Sequence, residues 1–176
     1  GRMTTLMWVD VETDGLDPMD GHLLEVGLLA TDTDLNPRDD GFSSPIRFDG
    51  PVDGFIERMH TPNGLLAECA SAPGLDEVAD MCRRYVDACA DDGLIAAGSS
   101  VRFDLDWLDM DMPGLFARAS HRLFDVSALD LAARMWYPAA YKSRPARTTD
   151  HRTMHCLHDS LELARHYRKA LPCAIR

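Results

Sequence analysis

No stretch of this 176-residue chain is apolar for long enough to cross a membrane, and no basic segment followed by an apolar one marks a secretory signal. The five cysteines, Cys69, Cys82, Cys89, Cys156 and Cys173, are odd in number and contain no C-x-x-C pair. Neither a zinc site nor a disulfide framework is indicated, and a reducing cytoplasm is the expected location. Basic residues are scarce: 18 Lys and Arg stand against 29 Asp and Glu, a formal net charge of −11. That balance argues against a protein that coats long nucleic acid, which needs clustered cations along the backbone. It leaves room for a short nucleic-acid substrate gripped by a few arginines and metal ions. Internal repeats and low-complexity tracts are also missing. With 45% hydrophobic and 27% charged residues, the chain is large enough for one buried core. Residues 3–176 read as a single domain, and Gly1-Arg2 ahead of Met3 reads as a cloning remnant.

The most informative residues that are present are Asp10 and Glu12, in Leu6-Met7-Trp8-Val9-Asp10-Val11-Glu12. The apolar run predicts a strand, and residues two apart on a strand share a face. Two carboxylates side by side at the end of a buried strand repel each other and are costly to desolvate. A divalent cation between them relieves both costs, and an oxygen-rich site suits Mg²⁺ or Mn²⁺. A merely solvated strand end would look the same in sequence.

Periodicity predicts strands over 5–11 and 22–31, joined by Asp14-Gly15-Leu16-Asp17-Pro18 and Asp20-Gly21, and a third at 45–48. A helical stripe covers 75–90, followed by a buried strand at 94–97. Helical pieces are expected at 103–108 and 113–119, a short strand at 123–124 and a helix at 127–135. Residues 138–149 read as a loop, and a last helix runs from about 150 or 151 to 169. The order describes a mixed α/β sheet flanked by helices.

Asp104 follows the fourth strand in Gly98-Ser99-Ser100-Val101-Arg102-Phe103-Asp104, where free N–H groups entering a helix can meet an anion. An acid in a first helical turn is also favoured without any ligand. His151, His155 and His158 fall at helical spacing, but no H-E-x-x-H pattern accompanies them, so an independent zinc site is not expected.

Trp8-Val9-Asp10-Val11-Glu12-x-x-Gly15-Leu16-Asp17 resembles the first motif of the DEDDh 3′–5′ exonucleases, in particular the oligoribonucleases. The resemblance continues in order through Leu23-Leu24-Glu25-Val26, Met59-His60-x-x-x-Gly64-Leu65, Gly98-Ser99-Ser100-x-x-x-Asp104, Arg122-x-x-Asp125-Val126-Ser127, Ala133-Arg134-x-Trp136-Tyr137-Pro138 and His151-Arg152. It implies a ribonuclease H-like fold and two-metal-ion hydrolysis of 3′-terminal phosphodiesters to 5′-mononucleotides. By the same resemblance Asp10, Glu12 and Asp104 hold two divalent cations, and His151 is the general base. Leu16 wedges against a terminal base and His60 stacks on another. Ser100, Arg122 and Ser127 hold the 5′ phosphate of a single-stranded RNA of about two to five nucleotides. A homodimer is expected as well.

The chain departs from that pattern at specific positions. The family's fourth acid, five residues after the histidine, is Cys156 here, a thiol in place of a hard oxygen ligand. Asp159 lies one turn further on. Asp14 replaces Thr and adds charge near the pair, Ser99 replaces Asn, Ala128 replaces a hydroxyl residue, and His121 replaces a Tyr that reaches the site from the partner. Three outcomes therefore stay open: a working, weakened exoribonuclease, a degenerate nucleotide-binding relative, or a proofreading-type DNA exonuclease.

Overall fold

The apolar alternation of the first strand decides what lies on each side of the sheet. In the computed structural model, which describes residues 3–171, this strand is β1 (Thr4–Thr13). It pairs antiparallel with β2 (Leu23–Thr31) and parallel with β4 (Gly93–Gly98). β3 (Phe42–Pro45) and β5 (Phe124–Asp125) complete a mixed sheet of order β3-β2-β1-β4-β5. Met7, Val9 and Val11 join the core under helices α3 (Leu75–Cys89) and α4 (Val101–Asp111). Leu6 and Trp8 face the other way, onto Leu157, Leu161 and Ala164 of α7 (Thr153–Ala170). By the same alternation Asp10 and Glu12 point toward α7.

The docking of α7 rests on a buried polar cluster. Glu25 of β2, 2% exposed, accepts hydrogen bonds from the backbone N and Oγ1 of Thr153, both at 2.7 Å, and so caps the helix from the sheet. Arg152 donates to Glu25 at 2.6 and 2.8 Å and also reaches Glu68 of α2 (Leu65–Cys69). Glu25 is the buried member of the pair and Arg152 is partly exposed, so the larger cost comes from removing Arg152, which leaves a buried carboxylate uncompensated. Gly27, opposite Asp10 in the β1–β2 ladder, leaves the room: a Cβ there would lie 2.7 Å from Thr153 Cβ.

Several boundaries differ from the periodicity. The third strand lies upstream, at 42–45, because Arg47 and Phe48 donate their N–H groups to the Pro73 and Cys69 carbonyls and leave the sheet. Residues 55–73 hold two short helices, α1 (Gly54–His60) and α2. The expected helix at 113–119 is a set of tight turns, since Gly114 sits at φ +83° and the N–H groups of Ala117 and Ala119 bond three residues back. After α5 (Val126–Trp136), the expected loop opens with α6 (Pro138–Lys142), where Pro138 presets the first turn. The last helix begins at Thr153, because His151 is left-handed (φ +60°) and Arg152 is extended. Gly1, Arg2 and Cys173 lie outside the described residues. No described helix is long and apolar enough to cross a membrane.

Candidate active site

Asp10 and Glu12 meet Cys156, from the first turn of α7, at the end of the sheet. One carboxylate oxygen from each acid and the Cys156 Sγ lie within 4.8 Å of one another. Sγ is 3.8 Å from Glu12 Oε1 and 2.9 Å from Thr149 Oγ1. Asp104 enters from α4, on the far side of β1. Its Oδ1 accepts the backbone N–H of Val11 at 2.9 Å, which fastens the helix to the strand between the two acids.

Burial and mutual repulsion leave these carboxylates poor acids. Desolvation, then the charges of Asp104 and Glu12, raise Asp10 well above the usual carboxylate range. Desolvation, followed by repulsion from Glu25 and Asp104, lifts Glu12 to about 8, and desolvation lifts Asp104 to about 7. Burial and the neighbouring Asp10 push the Cys156 thiol up as well, so it is a neutral donor to the carboxylates. Asp10 Oδ2 is shut off from solvent and accepts no hydrogen bond among the described residues. An orphaned buried oxygen with Glu12 at ligand spacing and Asp104 acting on it electrostatically fits a divalent cation, which would satisfy the oxygen and favour the charged form of these acids.

The other candidate residues are distributed unevenly. His151 is exposed and forms no hydrogen bond to Asp10, Glu12, Asp104 or Cys156 among the described residues. Its N–H donates to Thr149 Oγ1 and its carbonyl accepts from Asn63 Nδ2, which hold the left-handed backbone. It lines a 600 Å³ cleft with Phe55, Arg58, Met59, Asn63 and Asp150.

His60 is not available to stack on a base: it is fully buried, with Nε2 3.4 Å from Glu12 Oε2 and Asn63 Nδ2 3.2 Å from Nδ1. Burial, then the nearby His151, lowers its pKa and keeps the ring neutral. Phe55, 61% exposed, and Phe103 supply the accessible rings beside it, a role that sequence reasoning missed. They share a 440 Å³ cleft with Glu12, His60 and Leu16, and Leu16 stands 87% exposed at its edge.

A 480 Å³ cavity on the other side of Asp10 is lined by Ser100 and Ser127, whose hydroxyls are 3.3 Å apart. Arg122, exposed just before β5, does not line it, and Arg144 and Arg147 do. Arg144 is committed to Asp130 and to the Tyr141 ring, whereas Arg147 acts electrostatically on Asp10. The start of α4, expected to meet an outside anion, is satisfied internally: Asp125 accepts from the N–H groups of Ser100 and Val101. Asp14 is turned to His22 rather than to the acid pair. Asp159 shares the cavity with Asp10, but both its oxygens accept from Thr148.

No protein-family model matches the chain. Over 168 residues it is 32% identical to an oligoribonuclease of Tropheryma whipplei (strain Twist), covering 93% of this chain and 91% of that protein. It is 35% identical over 175 residues to an oligoribonuclease of Streptomyces griseus, covering 94% and 86% respectively. Among solved structures, E. coli exonuclease I in complex with a 5cy-dT13 oligonucleotide superposes with a TM-score of 0.74 at 13% identity, over 98% of this chain and 42% of that one. Exonuclease I from Methylocaldum szegediense gives 0.74 at 17% identity, over 96% and 41%. The chain thus spans less than half of either structure, and the likeness shows the fold: a ribonuclease H-like mixed sheet flanked by helices.

Proposed function

The chain belongs to the oligoribonuclease family of 3′–5′ exoribonucleases, and from that premise we propose that it hydrolyses single-stranded RNAs of about two to five nucleotides to 5′-mononucleotides. The observation that carries this is the grouping of Asp10 and Glu12 at ligand spacing, with Asp10 Oδ2 left without a partner among the described residues and Asp104 acting on it from across β1. Asp10, Glu12 and Asp104 would hold two divalent cations, Mg²⁺ or Mn²⁺, which when bound would supply activation of water and stabilisation of the leaving oxygen. Cys156 stands where a fourth ligand would, and its thiol weakens the grip on Mg²⁺.

The remaining residues handle substrate and protons. His151 takes a proton from the attacking water as the new O–P bond forms and the P–O3′ bond breaks, and solvent protonates the leaving oxygen. Its position on an exposed turn lets the ring swing toward the acids, and hydrogen bonds of this kind tighten only when substrate is present. Leu16 separates the terminal bases, and Phe55 offers a face for stacking, taking the part first expected of His60. Ser100, Ser127 and Arg147 grip the 5′ phosphate, with Arg122 approaching from outside the cavity. That grip closes the path beyond a few nucleotides. Exposed Leu131, Met135 and Trp136 on α5 support a homodimer, and the free thiols of Cys69, Cys82, Cys89 and Cys156 support a cytoplasmic location.

Parallel assays on pApA and a long RNA, each with Mg²⁺ and with Mn²⁺, test this reading. Chromatography is expected to show AMP from pApA, faster with Mn²⁺, and little loss of the long RNA. Binding of pApA without turnover in either metal would favour a degenerate nucleotide binder, for which the thiol in the metal site is the supporting observation.

A further inference from the structure

The geometry points to a metal centre of mixed hardness, in which Cys156 Sγ joins Asp10 and Glu12 as a ligand and turns the site's preference from Mg²⁺ toward thiophilic divalent cations such as Co²⁺ and Cd²⁺. This deepens the two-metal reading and rests on it. Three observations carry it. The sulfur and both carboxylates already offer ligand atoms within 4.8 Å of one another. Asp10 Oδ2, sealed from solvent, has no hydrogen-bond partner among the described residues, which leaves it open to a cation. And the sulfur is held by residues on both sides: Thr149 Oγ1 lies 2.9 Å away and Glu12 Oε1 3.8 Å away.

The fold does not provide a hard oxygen in its stead. Asp159 is the acid nearest along α7, and its two oxygens are engaged by the N–H and hydroxyl of Thr148. His155 is likewise taken, by Thr148 and Asp150. His60 meets Asn63 through Nδ1, and its Nε2, unpartnered among the described residues and 3.4 Å from Glu12 Oε2, lies outside the ligand-spaced group. The cluster facing the orphan oxygen therefore consists of two carboxylates and a thiol. Carboxylates alone select hard cations, whereas thiolate shifts selection to softer ones. Ligation requires the thiolate, so each ion that engages Cys156 releases one proton to solvent.

Cobalt reports on the sulfur directly, independent of any catalysis. Full-length protein titrated with Co²⁺ is expected to develop a near-ultraviolet sulfur-to-cobalt charge-transfer band. Cys156→Ser should abolish it while the remaining cysteines are unchanged. By calorimetry, Cys156→Asp should bind Cd²⁺ about tenfold or more weakly and Mg²⁺ about tenfold or more tightly than the parent. Calorimetric Co²⁺ binding without the band, or a band that survives in Cys156→Ser, overturns the assignment of the sulfur as ligand. A band that depends on Cys156 in a protein that fails to cleave pApA with any metal upholds the mixed centre and overturns only the exonuclease reading.

Discussion

The acids at the end of β1 and the histidine before α7 serve one proposed reaction, yet they are held in opposite ways. Asp10 and Glu12 sit on the central strand, paired with β2 just beyond the end of the β4 ladder, and Asp104 is pinned to that strand by the Val11 N–H. None of them can move without disturbing the core. His151 lies on an exposed turn at φ +60°, kept there by its N–H donating to Thr149 and its carbonyl accepting from Asn63. Charge that must stay desolvated is built into the framework. The group that must approach and leave the reacting water is carried on a segment that can adjust.

Removing a framework charge tests this contrast most severely. Asp10→Asn is expected to lower pApA hydrolysis about 10³-fold. The melting temperature of the metal-free protein should rise, since a repelled buried carboxylate becomes a neutral amide. A fall in melting temperature would mean that the carboxylate is stabilising even without metal. His151→Gly should cost about 10²-fold or more in kcat. Its melting temperature should not fall, because glycine adopts φ +60° freely. Unchanged turnover would remove His151 from the proposed mechanism.

The smallest effect is on stability against pH. Glu12 and Asp104 titrate in the fold at about 8 and about 7, above their ordinary values of 4.5 and 3.8. The folded protein therefore holds these protons more tightly than the unfolded chain. The contribution is complete below the unfolded values and is lost as pH rises through the folded ones. Metal-free melting temperatures should decline between about pH 5 and pH 8.5, a window above the titration of the carboxylates that Arg38 and Arg152 pair with on the surface. Saturating Mn²⁺ should flatten the decline, whereas a metal-independent slope would show that the cation does not meet these acids.

Much of the framework half of this comparison was legible in the residues. The apolar runs at 5–11 and 22–31 match β1 and β2, and the D-x-E spacing matches a shared face, because residues two apart on an extended chain point the same way. The stripe from Leu75 identified α3 to within a residue. The loop half was harder to read. His60 occurs in a motif that suggests contact with a base, but it is packed inside against Glu12, and Phe55 takes the exposed place. Nothing local distinguishes Arg144 and Arg147 from any other arginine in a loop. Only the path of that loop beside Ser100 and Ser127 brings them to the cavity. The sequence leaves the start of α4 open to an anion, and Asp125, 25 residues from Ser100, occupies it in the fold.

By itself, then, the sequence determined the pairing of Asp10 with Glu12, since strand geometry is a local property, and the family resemblance marked Cys156 as standing in the place of an acid. The tertiary structure alone decided that the pair faces α7, that Glu25 and Arg152 lock that helix against the sheet, and that the Cys156 sulfur arrives within ligand distance of both acids. Those outcomes depend on packing between segments more than a hundred residues apart, where burial and the pairing of buried charge outweigh any local preference.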